Sequence, residues 1–331
     1  MSFIKTLIRA TLAIASAALL WGQTPPVILT IQVDNYVPYH FDVFDYSKLA
    51  SAPGIVPGPV NQKPFATFVF IGDIVSVNGS PAKGTWTARA TNLYLAPDQQ
   101  PGRPIADVTR QNIIDMYFDI LQTDGSQLGT IMASGLTRGN PPPGAPSIQI
   151  GDTLTVTGGT GAFLGTRGQA GGIDFGSPRQ ASDTEDPYYR RVNGGATRSY
   201  VVHLLPLTRP EVVTGPAGPS IFHADFTRVS NSSPAKSGEV LILMASGMGP
   251  TRPGVDPGQP FPNDKLQVAN VIPQVFINGV SVESINCVGW PGLVDTYRVD
   301  FRIPAGVSAG NARVRLSSSF IAGSEVTIPV Q

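Results

Sequence analysis

The sequence predicts an all-β protein built from two units, an eight-stranded barrel followed by a β-sandwich. Glycine and proline are frequent, at 36 and 31 of 331 residues, and they separate short apolar runs in the way that turn residues do. Many of these runs alternate apolar and polar residues, which is the period of a strand with one buried face. The clearest example is a glycine-rich hairpin at residues 155–170.

The first 23 residues have the features of a secretory signal peptide. Lys5 and Arg9 precede an apolar run, Ala10–Leu20, that is shorter than the roughly 20 residues of a membrane-spanning helix. We expect cleavage near Gly22 or Gln23, an exported protein in the periplasm or outside the cell, and no transmembrane segment after cleavage. An uncleaved anchor is the alternative.

Residues 24–207 are predicted to form the barrel, because eight strand-like segments fall there and eight strands close a small barrel. The proline-rich stretches 50–64 and 140–146 are predicted loops, and 175–195 a mobile excursion. The eight segments are Val27–Asp34, Phe65–Val77, Gly84–Leu95, Asn112–Leu121, Leu128–Ser134, Ile148–Thr157, Ala162–Ile173 and Arg198–Leu205.

The hairpin carries the run Gly158-Gly-Thr-Gly-Ala-Phe-Leu-Gly-Thr-Arg-Gly168. No lysine follows the glycines and no helix begins there, so a phosphate-binding loop is disfavoured. The run resembles the GGTG-x-F-x-x-A-R-G signature of dirigent proteins and allene oxide cyclase-like proteins, with Thr166 in place of the usual alanine. The resemblance implies a β-barrel that holds an apolar ligand, with Arg167 facing the cavity. A bare structural hairpin is the alternative.

Residues 208–220 are rich in proline and glycine and are predicted to be a semi-rigid linker. Seven short strands in residues 221–331 predict an immunoglobulin-like β-sandwich. The predicted strands are Phe222–Val229, Gly238–Ser246, Ile272–Ile277, Val282–Val288, Thr296–Ile303, Ala312–Leu316 and Val326–Val330.

Four runs in this second unit resemble a C-terminal domain family named after Solibacter and found in exported bacterial proteins. Three begin at Gly238 (GEVLILMASGMGPT), Pro273 (PQVFINGVSV) and Tyr297 (YRVDFRIPAGVSAGN), and a fourth run follows at Val326 (VTIPVQ). The resemblance implies a fold and export but no chemistry. We therefore expect the unit to contact a cell surface or a protein partner.

Two segments of the predicted barrel supply candidate ligand-binding residues. In the strand 112–121, alternation places Asp115, Tyr117 and Asp119 on one face. If that face is inward, the two carboxylates could act as general acid and base; if it is outward, it is a solvated surface. For Arg167 two roles remain open, contact with a ligand or an ion pair with Asp115 or Asp119 across the barrel.

The segment 36–46 is dense in aromatic and acidic residues, and it provides Tyr39, His40 and Asp42 as further candidates. His40 and Asp42 loosely resemble the histidine–aspartate segment near the first strand of dirigent proteins, with Phe41 intervening. A loop that closes one mouth of the barrel is the alternative interpretation.

The bulk composition excludes several classes of function. Basic and acidic residues balance at 23 each, so no electrostatic attraction to nucleic acid is expected. The three histidines and the single cysteine, Cys287, have no metal-ligand spacing, and we expect no metal and no cofactor. Cys287 lies in an alternating run and is predicted to be a buried small apolar residue.

Three hypotheses of function remain open from the sequence. The first is binding of a small apolar or aromatic ligand in the barrel. The second is a cyclase or isomerase of the allene oxide cyclase type. The third is a structural or adhesive surface protein whose barrel is filled by its own side chains. The oligomeric state is open, a homo-oligomer included.

Overall fold

The computed structural model describes residues 26–41, 65–94, 110–137, 153–175, 178–205, 207–256 and 258–331. The described chain is all-β, as predicted. Its first half forms a closed antiparallel barrel of the eight predicted strands, each paired with the next along the chain. The barrel strands are β1 (Val27–His40), β2 (Thr67–Val77), β3 (Lys83–Tyr94), β4 (Arg110–Leu121), β5 (Gln127–Thr137), β6 (Thr153–Gly159), β7 (Arg167–Phe175) and β8 (Ala196–Leu205). Strand β1 closes the barrel by pairing with both β8 and β2.

A bulge in β1 determines which of its side chains face the lumen. The pairing register with β8 shifts between Val33 and Tyr36, and Asn35 has a φ of +53°. Beyond the bulge Tyr36 points into the barrel core, whereas Val37 and Tyr39 belong to a separate cluster outside it. The bulge therefore directs the last residues of β1 to both faces of the sheet.

The glycine-rich connection between β6 and β7 differs from the predicted hairpin. Strand β6 continues to Gly159, a 3-10 helix occupies Gly161–Phe163, and β7 begins only at Arg167. The Phe163 side chain is fully buried, and Thr166 Oγ1 donates to its carbonyl oxygen at 2.8 Å. The prediction that a strand resumes at Ala162 is wrong, because burying Phe163 requires this extra turn.

Two glycines of this connection allow its geometry to be tested by a matched pair of substitutions. Both have positive φ, +60° at Gly161 and +77° at Gly165, but only a Cβ at Gly161 would meet backbone, 2.4 Å from the Leu128 carbonyl oxygen. We expect Gly165→Ala to lower the free energy of unfolding by about 1 kcal/mol and Gly161→Ala by at least about 2 kcal/mol. Urea denaturation measures both values, and equal losses would contradict the close approach.

The second half of the described chain contains two further sheets of four or more strands. The strands of three or more residues are β9 (Val240–Ser246), β10 (Gln274–Ile277), β11 (Val280–Val282), β12 (Ser284–Gly289), β13 (Tyr297–Arg302), β14 (Gly310–Ser318) and β15 (Ile321–Val330). One sheet contains β9, β13 and β12 with four two-residue strands, and the other has the order β11-β10-β14-β15. Buried residues of both sheets, such as Phe301 and Leu316, belong to one hydrophobic cluster. An immunoglobulin-like topology stays a prediction.

Cys287 lies in this second core and is fully buried. Burial raises the pKa of its thiol to about 12, so the thiol is protonated at neutral pH. The structure thus agrees with the prediction that Cys287 serves as a small apolar residue.

The segment 208–220, predicted to be a linker, makes ordered pairings with the second unit. Glu211–Val212 pairs with the end of β9, and Thr214–Gly215 pairs with Gly218–Pro219 in a short hairpin. The two units also contact each other directly, because Asn270 Nδ2 donates to the Gly161 carbonyl at 2.8 Å. Asn78 Nδ2 donates to the Phe320 carbonyl at 3.1 Å. These bonds place the second unit against the end of the barrel where the short connections lie.

Candidate functional site

The two ends of the barrel differ in the length of their connections. At one end the strands are joined by the short segments 78–82, 122–126 and 160–166, and the second unit contacts this end. At the other end they are joined by the long segments 41–66, 95–109, 138–152 and 176–195. Functional residues are commonly carried by long loops on a rigid scaffold. The end with the long connections is therefore the candidate mouth of a ligand site.

Buried polar side chains lie on the barrel strands close to this mouth. His40 is at the end of β1, Asn92 is near the end of β3, and Arg198 is near the start of β8. All three are less than a tenth exposed. Polar groups are seldom buried without a structural or functional reason, so this end of the lumen is chemically distinct from the rest of the core.

A chain of aromatic rings lines the lumen from the mouth inward, each ring in contact with the next. It consists of His40, Phe68, Phe70, Tyr36, Trp86, Tyr200 and Phe118. The distances between successive ring centroids run from 4.9 to 5.4 Å. Rings at this spacing, stacked or edge to face, attract each other. We refer to these seven side chains as the aromatic chain.

The Arg198 guanidinium is placed among the rings of the aromatic chain. Its central carbon lies 5.1 Å from the centroid of Tyr200 and 5.6 Å from that of Tyr36. Gly172 provides room for it, since a Cβ there would lie 3.0 Å from both Arg198 Nε and the Tyr200 ring. The lumen therefore combines a cation with aromatic faces, the arrangement that stabilises an arginine next to π-systems.

Two further groups define the polarity of the lumen. The indole Nε1 of Trp86 is a buried donor with no acceptor among the described residues. Burial lowers the pKa of His40 to about 4, so its imidazole is neutral at neutral pH. A molecule that supplied an acceptor oxygen at Trp86 would satisfy a donor that native structures rarely leave unbonded.

The predicted residues of β4 and β7 lie on the outer face of the barrel. Asp115 and Tyr117 are exposed, and Asp119 is partly exposed, while the alternating residues Ile114, Met116, Phe118 and Ile120 are buried in the lumen. Asp115 accepts a hydrogen bond from Ser134 Oγ at 2.7 Å, and Asp119 accepts one from Thr130 Oγ1 at 3.2 Å. The solvated alternative therefore describes this face of β4.

Arg167 is also exposed, so the expectation that it faces the cavity is wrong. An unbroken strand from Ala162 would place Arg167 on the same face as the buried Phe163, but the 3-10 turn separates Phe163 from β7, and the two side chains lie on opposite faces. A pairing of Arg167 with Asp115 or Asp119 is not formed either, since β7 pairs with β6 and β8 and not with β4.

The predicted residues of the first strand separate onto two faces. His40 joins the aromatic chain through Phe68, at 5.1 Å. Tyr39 is buried on the opposite face against Val37 and Ala181. Asp42 lies outside the described residues. Of the seven predicted ligand residues, His40 is therefore the one that the structure places in the described lumen.

Sequence reasoning missed Trp86, Arg198 and Tyr200, although alternation was able to identify them. Arg198 and Tyr200 are in phase with the buried Val202 and Leu204 along β8. Trp86 is likewise in phase with the small buried residues Ala88 and Ala90 along β3. The signal that was overlooked is the alternation along β8, which places Arg198 and Tyr200 on its inward face.

Residues 178–195, predicted to be mobile, form a packed cover that we call the flap. Ala181–Ser182 pairs in parallel with Tyr39–His40 at the edge of β1. Within the flap Arg179 forms a buried ion pair with Glu185 at 2.5 Å. Arg190 and Arg191 both bind Asp73 of β2. The flap is thus fixed to the outside of the barrel next to the mouth.

Comparison of the chain with protein-family models and with curated proteins found no match. Within the described ranges, no group of three or more His, Cys, Asp or Glu side chains is placed to hold a metal ion. The same residues include no helix long and apolar enough to cross a membrane. The resemblances to dirigent-like proteins and to the Solibacter-type domain accordingly stay predictions.

Proposed function

We propose that this protein is an exported binding protein that holds a small aromatic or apolar ligand in the barrel lumen, near the mouth. The observation that carries the proposal is the aromatic chain with Arg198 and the Trp86 indole beside it. Flat aromatic surfaces with a few polar groups are typical of small-molecule sites. The second unit, an immunoglobulin-like module in this proposal, would contact a cell surface or a protein partner.

The placement of donors favours a ligand that bears an oxygen on an aromatic body. The ligand ring would contact Tyr36 and Tyr200, and its oxygen would accept from Trp86 Nε1. Arg198 would stabilise partial negative charge on that oxygen in a lumen of low dielectric constant. Entry is favoured at the mouth, because the opposite end carries the short connections and the contacts with the second unit.

The cyclase or isomerase alternative is less well supported. It was based on Arg167 with a carboxylate, and Arg167, Asp115 and Asp119 all lie outside the lumen. The alternative of a filled, purely structural barrel makes a different prediction from the binding proposal, namely that no small aromatic molecule binds.

Calorimetric titration of residues 24–331 with 2-naphthol, and with its saturated counterpart 2-decalol, tests the proposal. We expect saturable binding of 2-naphthol that is at least about tenfold tighter than that of 2-decalol. Tyr200→Leu should weaken 2-naphthol binding about fivefold, since one stacked ring contributes about 1 kcal/mol.

Tyr117→Leu is the matched control, because it removes a tyrosine from the outer face of β4. We expect this variant to retain wild-type affinity. Loss of binding in Tyr117→Leu but not in Tyr200→Leu would move the site to the outer surface. No binding to the wild type would favour the filled barrel.

A further inference from the structure

A cavity lies where the two units meet, far from the mouth of the barrel. Its volume is about 390 Å³, which is within the range of roughly 300–1,000 Å³ for small-molecule sites. The barrel contributes the β6–β7 connection, including Leu164 and Thr166, and the second unit contributes Met248, Phe261 and Asp295. We call this cavity the inter-unit cleft. Ligand sites are frequent at such boundaries.

The walls of the inter-unit cleft are largely apolar and in part open to solvent. Leu164, from the glycine-rich signature, is 56% exposed, and Val294 across the cleft is 48% exposed. Met248 and Phe261 also line the cleft and are buried. Large apolar side chains that remain exposed around a concave surface are typical of a binding site.

The charged residues that line the cleft are acidic. Its described lining includes the carboxylates Asp256 and Asp295 and no lysine, arginine or histidine. Asp295 accepts one backbone hydrogen bond, from Gly247 N at 3.3 Å, and no described cation contributes to its electrostatic environment. The Tyr297 hydroxyl next to it is already bonded, since it donates to the Gly249 carbonyl at 2.5 Å.

Asp295 is surrounded by protein and yet reachable by solvent. Its residue surface is exposed, whereas the neighbouring protein desolvates the carboxyl and raises its pKa. The two observations agree if the carboxyl lies at the open floor of a cavity. A cation brought to this carboxyl would replace the lost hydration and stabilise its charged form.

We propose that the inter-unit cleft binds a small organic cation, an amine carried on an apolar body. The ammonium group would donate to the Asp295 carboxylate with Asp256 nearby, and the apolar body would contact Leu164, Met248 and Phe261. An anion would be repelled by both carboxylates, and a neutral analogue would lose the charge-assisted hydrogen bond. This site is separate from the lumen and does not depend on the proposed lumen ligand.

The probe for the experiment is 2-phenylethylamine, and its neutral counterpart is 2-phenylethanol. Calorimetric titration of residues 24–331 at pH 7 should show that the amine binds at least about tenfold more tightly than the alcohol. Because the amine contacts both units, it should also raise the melting temperature of the protein. The comparison of amine with alcohol separates this site from unspecific binding in the aromatic lumen.

Asp295→Asn removes the charge and preserves the backbone, since asparagine tolerates the positive φ of +43° at this position. We expect it to reduce the affinity for the amine at least about tenfold and to leave the affinity for the alcohol unchanged. The matched control is Asp264→Asn, which removes an exposed carboxylate outside the cleft and should bind the amine as the wild type does.

Two results would overturn the proposal. One is equal affinity of the wild type for the amine and the alcohol. The other is unchanged affinity for the amine in Asp295→Asn when circular dichroism shows that this variant is folded.

Discussion

Trp86→Ala should lower the free energy of unfolding by about 3–5 kcal/mol, the usual cost of removing a large buried aromatic side chain. Trp86 is fully buried and lies at the centre of the aromatic chain. Its ring centroid lies 5.3 Å from that of Tyr36, 5.4 Å from that of Tyr200 and 5.9 Å from that of Phe70. The substitution would leave a cavity among these three rings. The rings belong to strands of a closed barrel, so they cannot move in to fill it.

The matched control for this substitution is Trp290→Ala in the second unit. Trp290 is partly exposed and meets one ring, Phe226, at 6.2 Å. We expect Trp290→Ala to lower the free energy of unfolding by about 1 kcal/mol, because the Trp290 side chain buries less apolar surface than that of Trp86. Urea denaturation measures both variants. A loss at Trp86 no larger than that at Trp290 would show that the lumen is loosely packed around the indole.

Asp73→Ala should have the second largest effect and lower the free energy of unfolding by about 3 kcal/mol. Asp73 accepts hydrogen bonds from Arg190, from Arg191 and from Asn35 Nδ2, the last at 3.0 Å. Arg190 is 6% exposed, so removal of the carboxylate leaves a buried cation without this partner. The flap would lose its main attachment to β2.

Asp34→Ala is the matched control, because Asp34 is opposite Asp73 on the neighbouring strand and accepts from the Gln32 amide at 3.4 Å. We expect its effect to be below about 1 kcal/mol. Amide hydrogen exchange of residues 178–195 shows whether the stability lost in Asp73→Ala is lost in the flap. Asp73→Ala should accelerate exchange in the flap, and unchanged exchange there would contradict the proposed attachment.

The same contact predicts a dependence on pH. Burial raises the pKa of Asp73, but the hydrogen bonds from Arg191, Asn35 and Arg190 outweigh it and hold the pKa below its ordinary value. The carboxylate therefore contributes stability above the unfolded pKa of about 3.9. That contribution is lost as the pH falls through the folded pKa. Flap exchange should accelerate in that acidic range in the wild type but show no such step in Asp73→Ala.

The strand content of the barrel was predictable because alternation is a local property of the chain. All eight predicted segments overlap observed strands, and the phase along β4 grouped Asp115, Tyr117 and Asp119 on one face, although the sequence left open which face is inward. The face of Arg167 was not predictable in the same way. Its phase depends on a 3-10 turn that exists because Phe163 finds a place in the core, and that is a tertiary effect.

The flap shows a second limit of local reasoning. Residues 175–195 are polar and glycine-rich, a composition that favours a mobile loop. In the structure, Arg190 and Asp73 are paired although they are 117 positions apart in the sequence. No local pattern records such a contact. The lumen site is similar, because Tyr36, Trp86, Arg198 and Tyr200 belong to three strands that closure of the barrel brings together.

The central claim is that a small aromatic ligand binds in the lumen beside Trp86, and the indole N–H signals of ¹⁵N-labelled residues 24–331 test it most directly. Residues 24–331 contain two tryptophans, Trp86 in the lumen and Trp290 in the second unit, and Trp86→Phe and Trp290→Phe assign their signals. On addition of 2-naphthol, we expect the Trp86 signal to shift, because its donor gains an acceptor and a ring stacks nearby, while the Trp290 signal stays in place. A saturating titration that moves the Trp290 signal and leaves the Trp86 signal unchanged would contradict the account.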